Sequence, residues 1–379
     1  HGQAQQLAAE MVFQPGADDL LAVVQVLGPD EAHHRVGEQR RHETHRNDGL
    51  GGHVDVEHRL VGGPVDPQFG DPDPEGDEAE AIMEGLAAEG YNLIFATSFG
   101  YGTPMARVAA NNPAGCFQWA TGAKFLLTAE MGGEFATFGD IPANLGTYFG
   151  AAEEARYLSG IAAGAASPTG KLGYVAAFPI PEVVRGLNAF TLGARSVNPE
   201  ATVQVTWTST WFDPAKEKEA AQALLQAGAD VLGMHQDSTA TGEAAMEAGA
   251  KWVGYNSDTL AGNFPDTWLT APIWDWGPYY INAAKSFAAG TCDVSQYYGN
   301  MADGTVKLGT FGSSVSAETQ ALIAEKAAAI IDGSFAPFTG PINDNTGKEV
   351  IAAGVVAPLG DLLGMQYLVE GVIGEIPKS

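Results

Sequence analysis

Six short segments of this chain carry flat aromatic side chains, hydrogen-bonding polar ones or both: Ser98-Phe99, Phe178-Pro179, Trp211-Phe212-Asp213, Gln236-Asp237-Ser238, Asn256-Ser257-Asp258 and Trp274-Asp275-Trp276. Aromatic faces stack on a planar heterocycle, while Asp, Asn and Gln hydrogen-bond along its edge, so these pairings suit capture of a flat organic ligand. Phe99, Phe178, Trp211, Asp237, Asp258 and Trp274 are the candidate contacts. Trp211 precedes Asp213-Pro214, a helix-start signal that places it on a loop, and Trp274 and Trp276 alternate around Asp275 as on an extended segment. Asp258 suits capping of the following turn as well as it suits a ligand. No set of residues assembles for bond-breaking chemistry. There is no GxSxG elbow, HExxH pair, P-loop or strand followed by GxGxxG. His235 has Asp237 nearby without a matching nucleophile and reads as a satisfied structural histidine rather than a general base. Glu153-Glu154 reads as charge at a helix N-terminus, and Gly160 and Gly164 as close-packing positions within a helix.

These residues fall where strands end. From Asp77 onward, apolar runs alternate with helical patterns, the mark of parallel sheets covered by helices. The pattern predicts helices over 78–89, 102–112, 153–165, 182–197, 214–227, 240–248, 278–289 and 317–331. It predicts buried strands over 91–97, 116–121, 171–178, 202–209, 230–235 and 252–255, and a hairpin-like unit over 297–308. Ligands of such sheets lie beyond the carboxyl ends of the strands, and those ends carry the six clusters.

Composition narrows the function classes. With 379 residues, two domains are expected. A formal charge of -27 repels phosphate backbones and anionic lipid, which excludes nucleic acid as a partner. Cys116 and Cys292 are too few for a disulfide framework and read as buried small hydrophobes, with a single bridge between them left open. No run of 18 apolar residues is present, and the polar start carries no export signal, so export would require a segment outside this sequence. Residues 1–75 are of another kind. Seven of eight histidines lie before residue 60 and the first lysine is Lys124, yet no helical ligand pairing appears, so no metal or other cofactor is expected. This segment reads as disordered or poorly packed, or as translated out of frame, and dissenting composition ends abruptly near Asp77.

From about residue 76 to the end the chain resembles the basic membrane protein family of substrate-binding proteins. The resemblance is carried by LIFATSFGYGTPMARVA, NLGTYFGAAEEARYLSGIAAG, KLGYVAAFPIPEVVRGLNAFTLGARSVNP, TWFDPAKEKEAAQALLQAGADVL, DWGPYYINAAK and FTGPI. It implies an α/β type I periplasmic-binding fold, with two Rossmann-like parallel-sheet lobes and a hinge. Residues 76–150, with a later contribution near 251–290, would form lobe 1, and 151–250 with 291–379 lobe 2. It implies a monomer outside the cytoplasm, lipid-anchored or free, that takes a purine base or nucleoside between the lobes and serves an ABC permease. Trp211 matches the family's base-stacking aromatic and Asp258 an acidic pocket residue. Trp274 falls where nucleoside binders carry a ribose-facing lysine, which favours a free base. Two departures stand out. The family's first strand, its loop and first helix cannot be recognised within residues 1–70, and residues 123–143 are longer than expected, as for a hairpin at the rim.

Two other classes compete. One is a nucleoside hydrolase using Asp237 or Asp258, and the other a ligand sensor that serves no transporter. A related-fold transcriptional regulator is excluded because no helix-turn-helix or basic patch precedes the lobes.

Overall fold

The computed structural model describes residues 21–26, 56–61, 77–123 and 141–377. In chain order the strands are β1 (Leu21–Val26), β2 (Val56–Val61), β3 (Leu93–Ala96), β4 (Cys116–Ala120), β5 (Leu145–Gly150), β6 (Lys171–Ala176), β7 (Thr202–Trp207), β8 (Val231–His235) and β9 (Lys251–Trp252), followed by β10 (Pro272–Trp274), β11 (Gln296–Gly299), β12 (Val306–Leu308), β13 (Ile342–Asn343), β14 (Glu349–Ile351) and β15 (Val372–Ile373). The helices are α1 (Asp77–Ala88), α2 (Gly102–Asn111), α3 (Ala152–Ala166), α4 (Pro181–Val197), α5 (Pro214–Gln226), α6 (Ala240–Ala248), α7 (Gly277–Ala288), α8 (Ala317–Ile331) and the short α9 (Leu359–Leu363). Two compact units result. One takes the described residues up to Phe149 together with Trp276–Tyr297, and the other Gly150–Asp275 with the residues from Tyr298 on. Residues 251–275, which the sequence reading grouped with the first lobe's return segment, cluster with the second unit.

The first unit is built on a six-stranded sheet in the order β11-β5-β4-β3-β1-β2. β3, β4 and β5 are mutually parallel, and every residue of each is buried. Strands covered on both faces read as continuous apolar runs, which is why LIFA and CFQWA are legible as strands. β1 runs antiparallel to both β3 and β2. The hairpin expected within 123–143 lies, apart from its flanks, outside the described residues, as does most of 1–75. Between α7 and the sheet sits a tyrosine-rich core: Tyr148 and Tyr280 hydroxyls are 3.1 Å apart, and Tyr279 stacks on Tyr148 at 4.6 Å. The reading of the two cysteines as mere hydrophobes is corrected here. Cys116 at the start of β4 and Cys292 after α7 form a disulfide with Cα atoms 5.5 Å apart. Residues 176 apart in sequence become neighbours only through the fold, so spacing could not reveal the pair.

The second unit carries a sheet in the order β15-β7-β6-β8-β9, with every pairing parallel. From the central β6 the chain passes first to β7 on one side and then to β8 on the other. Adjacent loops therefore diverge at the carboxyl ends of these strands, the place where doubly wound sheets accept ligands. α3 and α4 pack at backbone distance. A Cβ on Gly160 would fall 2.1 Å from the Phe190 carbonyl oxygen, and one on Gly193 1.9 Å from that of Tyr157. Close packing, as expected for Gly160 and Gly164, is thus what those glycines permit. The expected hairpin at 297–308 does not form: β11 joins the first unit's sheet, while β12 pairs antiparallel with β10 in the second. The strand expected over 252–255 is also shorter: β9 covers Lys251–Trp252, the Val253 amide still donates to the Leu232 carbonyl of β8, and Asn256 beyond it adopts a left-handed φ of 63°.

Candidate functional site

Five of the six candidate residues lie in the second unit, at or beyond the ends of its strands. Phe178 follows β6, Trp211 follows β7, Asp237 follows β8, Asp258 lies on the loop after β9, and Trp274 closes β10. Three of the loops are built under local constraint. Ser209 after β7, Asn256 after β9 and, in the first unit, Thr121 after β4 all have φ between 56° and 63°. Non-glycine residues hold that conformation only where their surroundings impose it, and such residues concentrate at binding sites.

The loop bearing Trp211 is clamped from its neighbour. Gln236, 1% exposed, accepts a hydrogen bond from Thr208 Oγ1 at 3.0 Å and donates from Nε2 to the carbonyls of Thr210 and Trp211. The Asp237 amide also donates to the Trp211 carbonyl. Below it, Asp213 caps α5 by accepting from the Lys216 amide at 3.1 Å, and this bond holds its carboxyl below the ordinary range. Glu217, fully buried, accepts from the Asp213 amide and from Ser238 Oγ, so one carboxylate ties the β7 and β8 loops together.

On this scaffold the aromatic rings line up. Phe178 and Trp211 are 4.9 Å apart, Trp211 and His235 6.1 Å, His235 and Tyr255 4.3 Å, and Tyr255 and Trp274 6.5 Å. Phe178, Trp211, Tyr255 and Trp274 are half-buried. Trp211 Nε1 is buried with no hydrogen-bond partner among the described residues, so the indole presents ring carbon outward rather than its N–H. Polar groups flank the row. Trp274 Nε1 donates to Asn256 Oδ1 at 2.8 Å, and Asn256 Nδ2 donates to Asp237 Oδ1 at 3.2 Å. One side-chain amide thereby fixes an indole and a carboxylate together. Asp258 accepts from the Thr310 amide at 2.7 Å, a bond to a distant segment rather than the cap on its own following turn that the sequence suggests. Phe99 lies in the first unit, on a short 3-10 turn after β3, with its ring 6.0 Å from Trp119.

Beneath the row lies a charged assembly of which the sequence singles out only His235 and Glu153, and Glu153, expected as helix N-terminal charge, is a buried ion-pair partner. Arg156 is fully buried, and Arg185, Glu153, Glu182 and His235 are 2–7% exposed. Arg185 pairs with Glu153 at 3.0 Å, and His235 Nε2 lies 3.0 Å from Glu182 Oε2. Arg156 Nη2 lies 3.3 Å from His235 Nδ1 and its Nη1 donates to the Met234 carbonyl. A guanidinium has no acceptor, so Nδ1 must accept and His235 is the neutral tautomer that donates from Nε2 to Glu182. Burial accordingly pushes the His235 pKa down, with the two arginines adding to the effect. Burial raises Glu182, but His235, Arg185 and Arg156 outweigh it and leave the carboxyl below its ordinary value. His235 thus has both ring nitrogens bonded within the protein, as expected of a satisfied structural histidine. The available signal was an arginine flanked by apolar residues in the first half of each of two helices, Arg156 within α3 and Arg185 within α4.

The arrangement offers stacking surfaces, one carboxylate and one oriented amide. Among the described residues no cluster of His, Cys, Asp or Glu could hold a metal ion, and no helix is long and apolar enough to cross a membrane. Residues 70–338 match the family described as ABC transporter substrate-binding protein, PnrA-like (Bmp). A purine-binding protein of Brucella abortus is 39% identical over 318 residues, covering 84% of this chain and 86% of that protein. A Haloferax volcanii protein, provisionally named an ABC transporter glucose-binding protein, is 37% identical over 302 residues, covering 79% and 70%. A solved ABC transporter solute-binding protein from Conexibacter woesei shares the fold, with a TM-score of 0.53 at 24% identity over 68% of this chain and 83% of its own.

Proposed function

Because this chain belongs to the PnrA-like family of ABC transporter substrate-binding proteins, we propose that it captures a free purine base outside the cytoplasm and delivers it to a membrane permease without altering it. The observation that carries this reading is the row of half-buried rings at the carboxyl ends of the second unit's strands, with Trp211 turned carbon-outward beside the Asp237–Asn256 pair. A purine needs stacking on its faces and a polar reader along its edge, and both kinds of group are present. Phe178, Trp211 and Trp274 supply the faces, Asp237 the edge, and Asp258 a further contact from the loop after β9. Covering the ring faces at roughly 25 cal/mol per Å² contributes a few kcal/mol, which suits micromolar or tighter capture.

Two features support a binding protein over a hydrolase. His235, the one histidine among the site's described residues, has both ring nitrogens engaged. Asp237 and Asp258 each accept a hydrogen bond from the protein itself. The 39%-identical relative is named for purine and the 37%-identical one for glucose, so the decisive contrast is heterocycle against sugar. The test is isothermal titration with adenine, hypoxanthine, adenosine and D-glucose. We expect adenine to bind, glucose not to, and Trp211→Ala to weaken adenine about tenfold or more, the value of one base–aromatic stack. Glucose binding with no purine binding, or release of ribose from adenosine, would overturn the proposal. We further propose a working monomer, checked by sedimentation with and without adenine.

A further inference from the structure

Tyr255 lies where the buried charges meet the half-exposed row. Its ring has the Arg156 guanidinium 3.9 Å from its centroid and the His235 ring 4.3 Å away, and its hydroxyl donates to Glu182 Oε1 at 3.3 Å. Arg156 and His235 touch each other, so they crowd the same side of the ring rather than sandwiching it. The next residue, Asn256, bridges Asp237 and Trp274. Burying two arginines, two glutamates and a histidine is costly to solvation, and apolar packing of equal volume is often at least as stable. The one residue at the edge of the row that Arg156, His235 and Glu182 all contact is the partly buried Tyr255.

We propose that Tyr255 is a specificity-determining contact of the ligand site, and that Arg156, His235 and Glu182 are its positioning residues. This rests on the reading that the strand ends of the second unit bind the ligand. A cation against one face of a phenol ring draws its π density toward that face. The other face then becomes a poorer acceptor for sugar C–H groups and a better partner for an electron-rich, amino-substituted heteroaromatic ring. The ligand class this selects is the aminopurine rather than the sugar. The same cation accounts for a buried Arg156 whose Nε has no hydrogen-bond partner among the described residues: its charge is directed at a ring as well as at a carbonyl.

The test compares wild type, Tyr255→Leu, Tyr255→Phe, Arg156→Met and Trp211→Ala by calorimetric titration with adenine and with 6-chloropurine, an electron-poor analogue. Tyr255→Leu is expected to weaken adenine about tenfold, and Tyr255→Phe, which keeps the ring but not its bond to Glu182, to fall between it and wild type. Arg156→Met should lower the ratio of adenine to 6-chloropurine affinity at least about threefold. A purely structural role would weaken both ligands alike, and differences in ligand hydrogen bonding cancel between the two proteins. Should Arg156→Met fail to fold, the Tyr255 pair decides. If Tyr255→Leu binds adenine like wild type while Trp211→Ala does not, the role of Tyr255 is overturned and the location of the site stands. If both variants bind adenine like wild type, the location of the site falls, and this assignment with it.

Discussion

Glu154 and His235 make opposite contributions to stability against pH. Glu154 is pushed up to about 7, first by burial and then by Glu153 and Asp303, although the Met301 amide bond opposes this. Between the ordinary carboxyl value and 7 the folded chain holds a proton that the unfolded chain has lost, so stability falls as pH rises through that window. His235 is depressed, so below about 6.5 the unfolded chain binds the extra proton and stability falls as pH drops. The two cancel in part between about 4.5 and 6.5, and above that only Glu154 remains. Raising pH from 6.5 to 8 should therefore lower the melting temperature of the wild type, while Glu154→Gln, which keeps an acceptor for the Met301 amide, should show a flat profile. The difference at pH 8 should be about 1–2 kcal/mol, discounted because the group is only partly buried. Equal slopes in both proteins would refute the assignment of this pH dependence to Glu154.

At the scale of elements, the α3–α4 pair tests how closely two helices must approach. Gly193→Ala drives a Cβ into the Tyr157 carbonyl and should cost about 2–4 kcal/mol in chemical denaturation. Gly186→Ala in the same helix meets its nearest atom at 3.5 Å and should be neutral or stabilising by up to about 1 kcal/mol. Similar losses in both would mean that backbone approach is not what the glycines serve. The helices from Gly102 to Ile331 and the strands β4, β6, β7 and β8 are legible to within two residues, because α4 and α5 begin at prolines, Asp213 caps α5, and VLGMH is a short buried apolar run, whereas β5, β10 and β13 to β15 left no such signal. The placement of Phe178, Trp211 and Asp237 beyond strands follows from the same pattern, whereas β10, which ends in Trp274, is not legible as a strand. What pairs with what is not legible either. β12 lies against β10 rather than β11, and Arg156 reaches His235 across 79 residues, because register and burial of charge are settled by tertiary contacts that no local spacing records. Tyr255 was read as the end of a strand, and its role emerged only from the arginine beneath it.

For the whole molecule, the Cys116–Cys292 bond is the feature with the widest reach. A disulfide of this kind belongs to an oxidising compartment, in keeping with the work of this family outside the cytoplasm. Restricting an unfolded loop of this length contributes about 2–5 kcal/mol in the chain-entropy account. Cys116→Ser with Cys292→Ser should lower stability by that order in denaturant titration while leaving adenine affinity within about twofold, since neither cysteine is among the proposed contacts. An unchanged midpoint would show that the unfolded chain gains nothing from release. The bond also closes a ring around residues 117–291, which hold the greater part of the second unit. Stretched from its two ends in an optical trap, the oxidised protein would therefore stop short of full extension by about 600 Å of contour length. The missing span would appear in one step when a reductant cut the knot-like loop open.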